Sequence, residues 1–159
     1  MTQRVVRASH VITTQLVLPN DTNQLGNLLG GTLMHWIDIT AAISAQRHAG
    51  RVCVTASVDE LNFHLPIRLG EVVTLQASVN RAFTTSMEVG VLVTAQRNAE
   101  EPNRRATNAY LTFVAIDDEG KPVAIPSTLP ETPEEQRRFA GALQRREHRL
   151  QRRSREEHG

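Results

Sequence analysis

The chain reads as an α+β domain, one long helix followed by antiparallel strands folded over it. Three observations predict this. Leu29, Leu33, Ile37 and Ala41 recur every fourth residue, with Met34 and Ala45 beside them, and draw an apolar stripe along a helix. After Arg51 the apolar period falls to two, as on strands with one face on a core. The connections between these stretches are short and rich in turn-forming residues.

Each element follows from its residues. Residues 4–18 are rich in Val, Thr, Ile and Leu, end at Pro19, and read as a first strand. Asp21, Thr22, Asn23 and Gly26 mark a loop. Gly30-Gly31 opens a run free of Pro and Gly until Gly50, which stands where a left-handed residue closes a helix. Leu33, Ile37, Ala41 and Ile43 make that helix apolar enough to be largely enclosed. Val52, Val54, Ala56 and Val58 then share one strand face, whereas Leu61, Phe63 and Leu65 have the opposite parity. A strand cannot switch its buried face without an extra residue, which predicts a β-bulge at Asp59-Glu60.

Residues 66–70 form a turn. Val73, Leu75, Ala77 and Val79 alternate with polar residues in the next strand, and Met87, Val89, Val91, Val93 and Ala95 in the one after. Residues 98–105 are a polar hairpin loop, residues 106–116 the last strand, and Asp117-Asp118-Glu119-Gly120 its terminating turn. Pro122, Pro126, Pro130 and Pro133 favour an extended segment over the surface. Thr132 as N-cap, Pro133 and Glu135 then start a second helix. Its sizeable apolar groups are only Phe139, Leu143 and Leu150 among many Arg and Glu, so it should be solvated or loosely docked and frayed at its end. The division is a core domain over residues 1–126 and a charged, partly helical extension over residues 127–159.

Composition narrows the function. A chain of 159 residues suits one domain, and a formal charge of +1 provides no strong field for nucleic acid or an anionic membrane. The eight Arg and six Glu from Glu131 onward make a mixed tail rather than a nucleic-acid arm. The lone cysteine, Cys53, sits between Val52 and Val54, reads as a buried structural thiol, and fits a reducing compartment. The six histidines lack zinc-type spacing, so no metal is expected. Nothing approaches membrane-spanning length, and a soluble, cytoplasmic protein is the expectation.

Asp38 is the anomaly. It follows Ile37 and stacks between Met34 and Ala42 at four-residue spacing, at or beside the apolar face, where a carboxylate must be hydrogen-bonded, paired or functional. The spacing Asp21-x-Asn23-x-x-Gly26-x-x-x-Gly30-Gly31, with Asp38 seven residues later, resembles the acyl-CoA thioesterases of the hotdog-fold superfamily. The likeness is strongest to the YciA-type and cytosolic acyl-CoA hydrolase branch. It continues in Leu61-Asn62-Phe63-x-x-Pro66-x-x-x-Gly70-Glu71, similar to the family's second strand and exit turn. Arg81-x-x-Thr84-Thr85-Ser86 is similar to the segment lining the coenzyme A site, and residues 109–115 to the last strand.

The resemblance implies a hotdog fold, an antiparallel sheet wrapped around the central helix and dimerising edge to edge, with dimers assembling into tetramers or hexamers. It also implies hydrolysis of an acyl-CoA thioester, with coenzyme A as part of the substrate and no separate cofactor. Amide groups of a helix beginning at Gly30-Gly31 suit an oxyanion, which makes the Gly31 N–H the expected contact. Seven residues of helix span roughly 10 Å, so Asp38 cannot reach a carbonyl held at its own helix's start. In the family one subunit supplies the Asn and Gly and the other the Asp. Asn23 would then orient water or carbonyl, while Asp38 acts as general base or as a nucleophile through an anhydride. Gly30, Met34, Arg51, Arg81, Thr84, Thr85 and Ser86 are the substrate-binding candidates, the arginines for phosphate and residues 84–86 for the pantetheine arm. The acyl chain is expected near Met34 and Trp36. A non-catalytic acyl-CoA-binding protein is the alternative, and a hotdog dehydratase is disfavoured because this loop lacks the histidine placed before the helix.

Overall fold

The computed structural model describes residues 2–59 and 61–158. In chain order the elements are β1 (Arg4–Val5), β2 (Val11–Leu16), α1 (Gly30–Ala49), β3 (Cys53–Val58), β4 (Val72–Ala82), β5 (Ser86–Gln96), β6 (Arg104–Ala115), β7 (Thr128–Leu129) and α2 (Pro133–His158). Five strands form one antiparallel sheet in the order β2-β4-β5-β6-β3, and β1 pairs in parallel with β7. The expected α+β architecture is present, with α1 lying across one face of the sheet.

The alternation read from β4 and β5 determines that packing. Val73, Leu75, Ala77 and Val79, together with Met87, Val89, Val91 and Val93, are buried against Leu33, Ile37, Ala41 and Ala45 of α1. Leu111 and Phe113 of β6 complete the layer. Burying each large apolar side chain typically contributes about 1.5–3 kcal/mol. Gly50, at φ +70°, ends α1 in the left-handed conformation expected of it.

Five expectations need correction. Residues 4–18 are not one strand, because a 3-10 turn at Val6–Ser9 divides β1 from β2. Ser9 is the reason: its hydroxyl donates to Val6 O and accepts from Val79 N–H, while its carbonyl accepts from Ser44 Oγ. A continuing strand would not bring one residue between sheet and helix in this way. The register irregularity lies between Thr55 and Ser57 rather than at Asp59-Glu60, of which Glu60 is outside the described residues. Leu61, Phe63 and Leu65 do not continue the strand: β3 ends at Val58, and these residues belong to an irregular loop in which Phe63 and Leu65 are exposed.

The sheet covers one side of α1 only. His35 and Ile39 are exposed and Met34, Asp38 and Ile43 half-buried, so the helix is not enclosed within one chain.

The fifth correction concerns α2, which begins as predicted: Thr132 Oγ1 accepts from Glu135 N–H, and Glu135 Oε1 accepts from Glu131 N–H. It is anchored rather than loosely docked, on the sheet face opposite α1. Arg145 makes two hydrogen bonds of 2.9 and 2.8 Å to Glu88, whose side chain is fully buried, and its guanidinium lies 3.7 Å from the Tyr110 ring centroid. Arg149 pairs with Asp59 at 2.8 Å, and Arg81 stacks at 3.9 Å on Phe139. Guanidinium planes on aromatic faces are the contact here, and they leave no apolar period in a sequence. From Gln151 to His158 the helix is exposed, as expected of its end.

Candidate active site

The loop before α1 is built by its own polar side chains. Asp21 Oδ2 accepts from Leu18 N–H, and Asn23 Oδ1 accepts from the amides of Leu25 and Asn27 at 2.9 and 3.1 Å. Gly26 takes φ +77°, which lets Asn23 O receive the Gly26 amide. Hydrogen bonds from Leu28 N–H to Ile67 O and from Leu69 N–H to Gly26 O fasten the loop to the chain after β3.

At the end of this loop α1 starts without a side-chain cap, Leu29 being its N-cap residue. The amides of its first turn therefore point outward with the positive end of the helix dipole behind them. Gly30 is the crowded glycine: a Cβ there would lie 3.5 Å from the Phe63 ring, whereas one on Gly31 would meet nothing within 4 Å. A cavity of about 380 Å³ opens at this end of α1. Asn23 and Gly30 line it together with the apolar Leu28, Leu33, Phe63, Leu65 and Ile67.

Asp38 lies two turns further along α1, half-buried, with Thr55 Oγ1 donating to its Oδ1 at 2.7 Å. Thr55 was not among the sequence candidates, and nothing in its alternating strand distinguishes it from its neighbours. The pairing turns on the adjacent bulge. Thr55 lies opposite Phe113 on the helix side of the sheet, and Ser57, past the irregularity, lies opposite Thr112 on the far side. Asp38 and the Asn23–Gly31 group stay separate within one chain, as the helical rise requires.

Of the binding candidates Gly30 and Met34 lie in the first turns of α1, and Arg51 and residues 84–86 toward its other end. Met34 is half-buried one turn before Asp38, and Arg51 is exposed just past Gly50. Ser86 pairs with Val114, which pairs with Val54, so residues 84–86 lie beside the start of β3. Nineteen residues of helix place that end roughly 28 Å from Gly31. Both sets of groups are partly engaged within the chain. Arg81 stacks on Phe139 of α2 and donates one N–H to its carbonyl at 3.3 Å. The carbonyls of Thr84, Thr85 and Ser86 already accept from Ile125, Ala115 and Phe83, and Ser86 Oγ bonds Arg146, which leaves the Thr84 and Thr85 hydroxyls. Trp36 packs half-buried against the core, away from the cavity lining.

Two further groups are structural. Burial pushes the Cys53 thiol up to about 11, against the opposing charge of Arg51, which makes it a poor nucleophile near neutral pH. His48 is buried with Nε2 2.7 Å from Pro126 O, tying α1 to the extended segment before β7. No helix among the described residues is long and apolar enough to cross a membrane.

Residues 25–101 match the thioesterase superfamily. The chain is 43% identical over 142 residues to the uncharacterized acyl-CoA thioester hydrolase YkhA of Bacillus subtilis, covering 89% of this chain and 83% of that protein. This chain belongs to the thioesterase superfamily. Its fold is the hotdog fold of that superfamily. It is also 45% identical over 137 residues to acyl-coenzyme A thioesterase 11 of Mus musculus, 86% of this chain but only 23% of the mouse protein, so it spans about a quarter of that relative's length.

A Staphylococcus aureus acyl-CoA hydrolase solved with butyryl coenzyme A, coenzyme A and coenzyme A disulfide superimposes with a TM-score of 0.92 at 40% identity, over 98% of this chain and 95% of that one. That protein has also been solved with an asparagine, an aspartate and a threonine each replaced by alanine. The intervals between those three positions are the same, residue for residue, as those separating Asn23, Asp38 and Thr55. A hexameric thioesterase of Yersinia pestis matches at a TM-score of 0.68 and 36% identity, over 72% of this chain and 93% of that one.

Proposed function

We infer that this chain is an acyl-CoA thioester hydrolase whose active site is completed by a second copy. The observation that carries the reading is the separation of the two catalytic groups. Asn23 and the uncapped start of α1 stand at one place and Asp38 at another, with Asp38 beside β3. That strand is one of the two edges of the sheet, with Val54 and Val58 exposed along it. An edge of this kind is a template for pairing, and a second β3 would extend the sheet across a twofold axis. Asp38 of one copy then meets the Asn23 loop of the other. Further association of dimers into a tetramer or hexamer accords with the hexameric relative. A cytoplasmic location is the reading that the likeness to cytosolic acyl coenzyme A thioester hydrolases and the single buried cysteine support.

The chemistry follows from the groups each side offers. Asn23 Oδ1 is occupied by loop amides, so its NH2 is the group that reaches the substrate, as a donor to the thioester carbonyl. The Gly31 N–H is the second donor, and an oxyanion donor of this type typically contributes ~3 kcal/mol in the transition state. Asp38, oriented by Thr55, takes a proton from water as the water oxygen bonds to the carbonyl carbon. The tetrahedral oxyanion then collapses, the C–S bond breaks, and the proton passes from Asp38 to the departing coenzyme A thiolate. The acyl chain occupies the cavity lined by Leu28, Leu33, Phe63, Leu65 and Ile67, rather than the surroundings of Trp36.

The test is complementation. Asn23→Ala and Asp38→Ala proteins should each fail to release coenzyme A from acyl-CoA. Unfolded and refolded together, they should recover about a quarter of wild-type activity, because half the dimers are mixed and each mixed dimer holds one intact site. No recovery from a mixture shown to contain heterodimers refutes the shared site. A wild-type protein that binds acyl-CoA without releasing thiol refutes the hydrolase itself.

A further inference from the structure

Glu71 stands just before β4, is only 2% exposed, and has no part in the mechanism above. A carboxylate so enclosed has to be met by donors. One of its oxygens accepts the Arg68 N–H at 2.6 Å, and the other is paired with Arg104 at the start of β6. The backbone closes the same turn, Glu71 N–H donating to Arg68 O at 3.1 Å. Val17, the residue after β2, ties the turn to the sheet: its N–H donates to Glu71 O, and its carbonyl accepts from Gly70 N–H. The Arg68 amide is therefore held by an ionised acceptor, a stronger partner than a neutral one.

This turn carries the loop that bears Asn23. Leu28 N–H donates to Ile67 O at 2.6 Å and Leu69 N–H to Gly26 O at 3.0 Å, with Asn27 and Arg68 facing each other as an antiparallel bridge. Asn27 in turn holds Asn23 twice, its carbonyl accepting the Asn23 N–H at 2.9 Å and its N–H donating to Asn23 Oδ1 at 3.1 Å. Paired backbone thus runs from Glu71 through Arg68 and Asn27 to Asn23. We propose that Glu71 is a positioning residue for hydrolysis: by holding the Arg68 amide it sets the place of the turn, and so of the Asn23 NH2 and the start of α1 against the thioester carbonyl. Arg104 neutralises the enclosed carboxylate. The effect on rate rests on the hydrolase reading, whereas the link from Glu71 to the loop does not. The contrary view is that Glu71 and Arg104 only fasten the start of β4 to β6.

The experiment uses the full-length oligomer, as wild type, as Glu71→Gln, as Glu71→Leu/Arg104→Met and as Arg145→Ala. Glu71→Gln keeps an oxygen for the Arg68 N–H and gives up the charge. The double variant replaces both charges by apolar groups of similar size, a change buried ion pairs commonly tolerate, and leaves the Arg68 N–H without its acceptor. Glu71→Leu alone, in which the partly exposed Arg104 can turn to water, carries the same test if the double variant does not fold. Arg145→Ala breaks the ion pair to Glu88 on the α2 side of the sheet and is a destabilised control remote from the loop. Thiol release from an acyl-CoA, normalised to folded protein, gives kcat and KM. The double variant should lose about 10-fold in kcat with KM nearly unchanged, the pattern of an interaction missing from the transition state. Glu71→Gln should recover most of that loss, and Arg145→Ala should melt lower yet keep its kcat.

Amide hydrogen exchange reads the same link without substrate. The N–H groups of Leu25 and Asn27, both bonded to Asn23 Oδ1, should exchange faster in the double variant when measured against those of β5, and keep the wild-type ratio in Arg145→Ala. A double variant with wild-type kcat, a loss confined to KM, or a Glu71→Gln protein as slow as the double variant overturns the proposal. If the wild type releases no thiol, the hydrolase reading falls alone and exchange decides: faster exchange at Leu25 and Asn27 upholds the link from Glu71 to the loop, and an unchanged ratio overturns it.

Discussion

Thr55 Oγ1 donates a 2.7 Å hydrogen bond to Asp38 Oδ1, joining the edge strand β3 to the middle of α1. A carboxylate on a half-buried helix face needs such a partner, and this one also fixes which oxygen is free to meet water. Thr55 is thus a positioning residue for the base. Thr55→Val should lower kcat about tenfold with KM nearly unchanged, as expected for one hydrogen bond that matters chiefly in the transition state. Thr55→Ser should restore most of the loss. A Thr55→Val enzyme with wild-type kcat, or one whose Ser counterpart is as poor, would show that the contact only holds β3 in place.

Removing the base itself should cost more. Asp38→Ala is expected to lose 10²- to 10⁴-fold in kcat and to stay folded, because the residue is only half-buried and carries no packing in the core. Single-turnover hydrolysis in H₂¹⁸O separates the two chemistries open to this carboxylate. With water activated by a general base, the label enters the fatty acid alone. Label recovered in Asp38 would establish attack by the carboxylate through an anhydride.

Glu88 and Gly90 make a second test, of stability. Glu88 is fully buried on the α2 side of β5, where Arg145 and Asn80 Nδ2 satisfy it. Deleting one partner of a buried, hydrogen-bonded charge pair typically costs about 3–5 kcal/mol. Arg145→Ala should therefore lower Tm by about 10 °C at fixed protein concentration. A Cβ on Gly90 would stand 2.7 Å from Asn80 Nδ2, so Gly90→Ala must displace the amide from Glu88 and should also destabilise. Adding Asn80→Ala to Gly90→Ala should cost less than Asn80→Ala costs alone. Additive losses in that double variant would mean the glycine answers to something else.

What was legible in the chain was whatever repeats. The four-residue period of α1 and the two-residue periods of β4 and β5 predict the core, and Gly50 and Thr132-Pro133 predict helix ends, because each follows from local backbone geometry. The misreadings share a cause. Alternation at Leu61, Phe63 and Leu65 reads as strand, yet these side chains stand in a loop beside the start of α1, where Phe63 and Leu65 line a cavity. Ser9 breaks the first strand through contacts with Val79 and Ser44, both far away in sequence. Arg145 on Tyr110 and Arg81 on Phe139 dock α2 without an apolar stripe. Within the site, Asn23, Gly31 and Asp38 stand out by spacing. Thr55 does not, since its role depends on a bulge one residue away.

Phe63 should govern chain length. Its ring packs over Gly30 at the mouth of the 380 Å³ cavity, and over half of its surface is exposed. Phe63→Ala enlarges that mouth at little cost to folding. The ratio of kcat/KM for a long over a short acyl-CoA should rise about 10-fold, within the 1–3 kcal/mol a pocket gains or loses per methylene-scale change. An unchanged preference would place the acyl chain elsewhere.

His48 sets the acid limit of the fold. Burial lowers its pKa, outweighing the raising effect of the Pro126 carbonyl, and the charge of Arg4 lowers it further. The folded protein therefore holds this ring neutral, while the unfolded chain protonates it at the ordinary value of about 6.5. Below that value the unfolded state binds more protons than the folded one, so stability rises with pH through this window. The contribution is fully present above pH 6.5 and is lost as the pH falls from there toward the depressed folded value. Urea midpoints measured from pH 8 to pH 5 should drop more steeply for wild type than for His48→Asn, which keeps a donor for Pro126 O but does not titrate. Parallel curves for the two proteins would show that the ring is already charged in the folded state, or that its titration does not couple to folding.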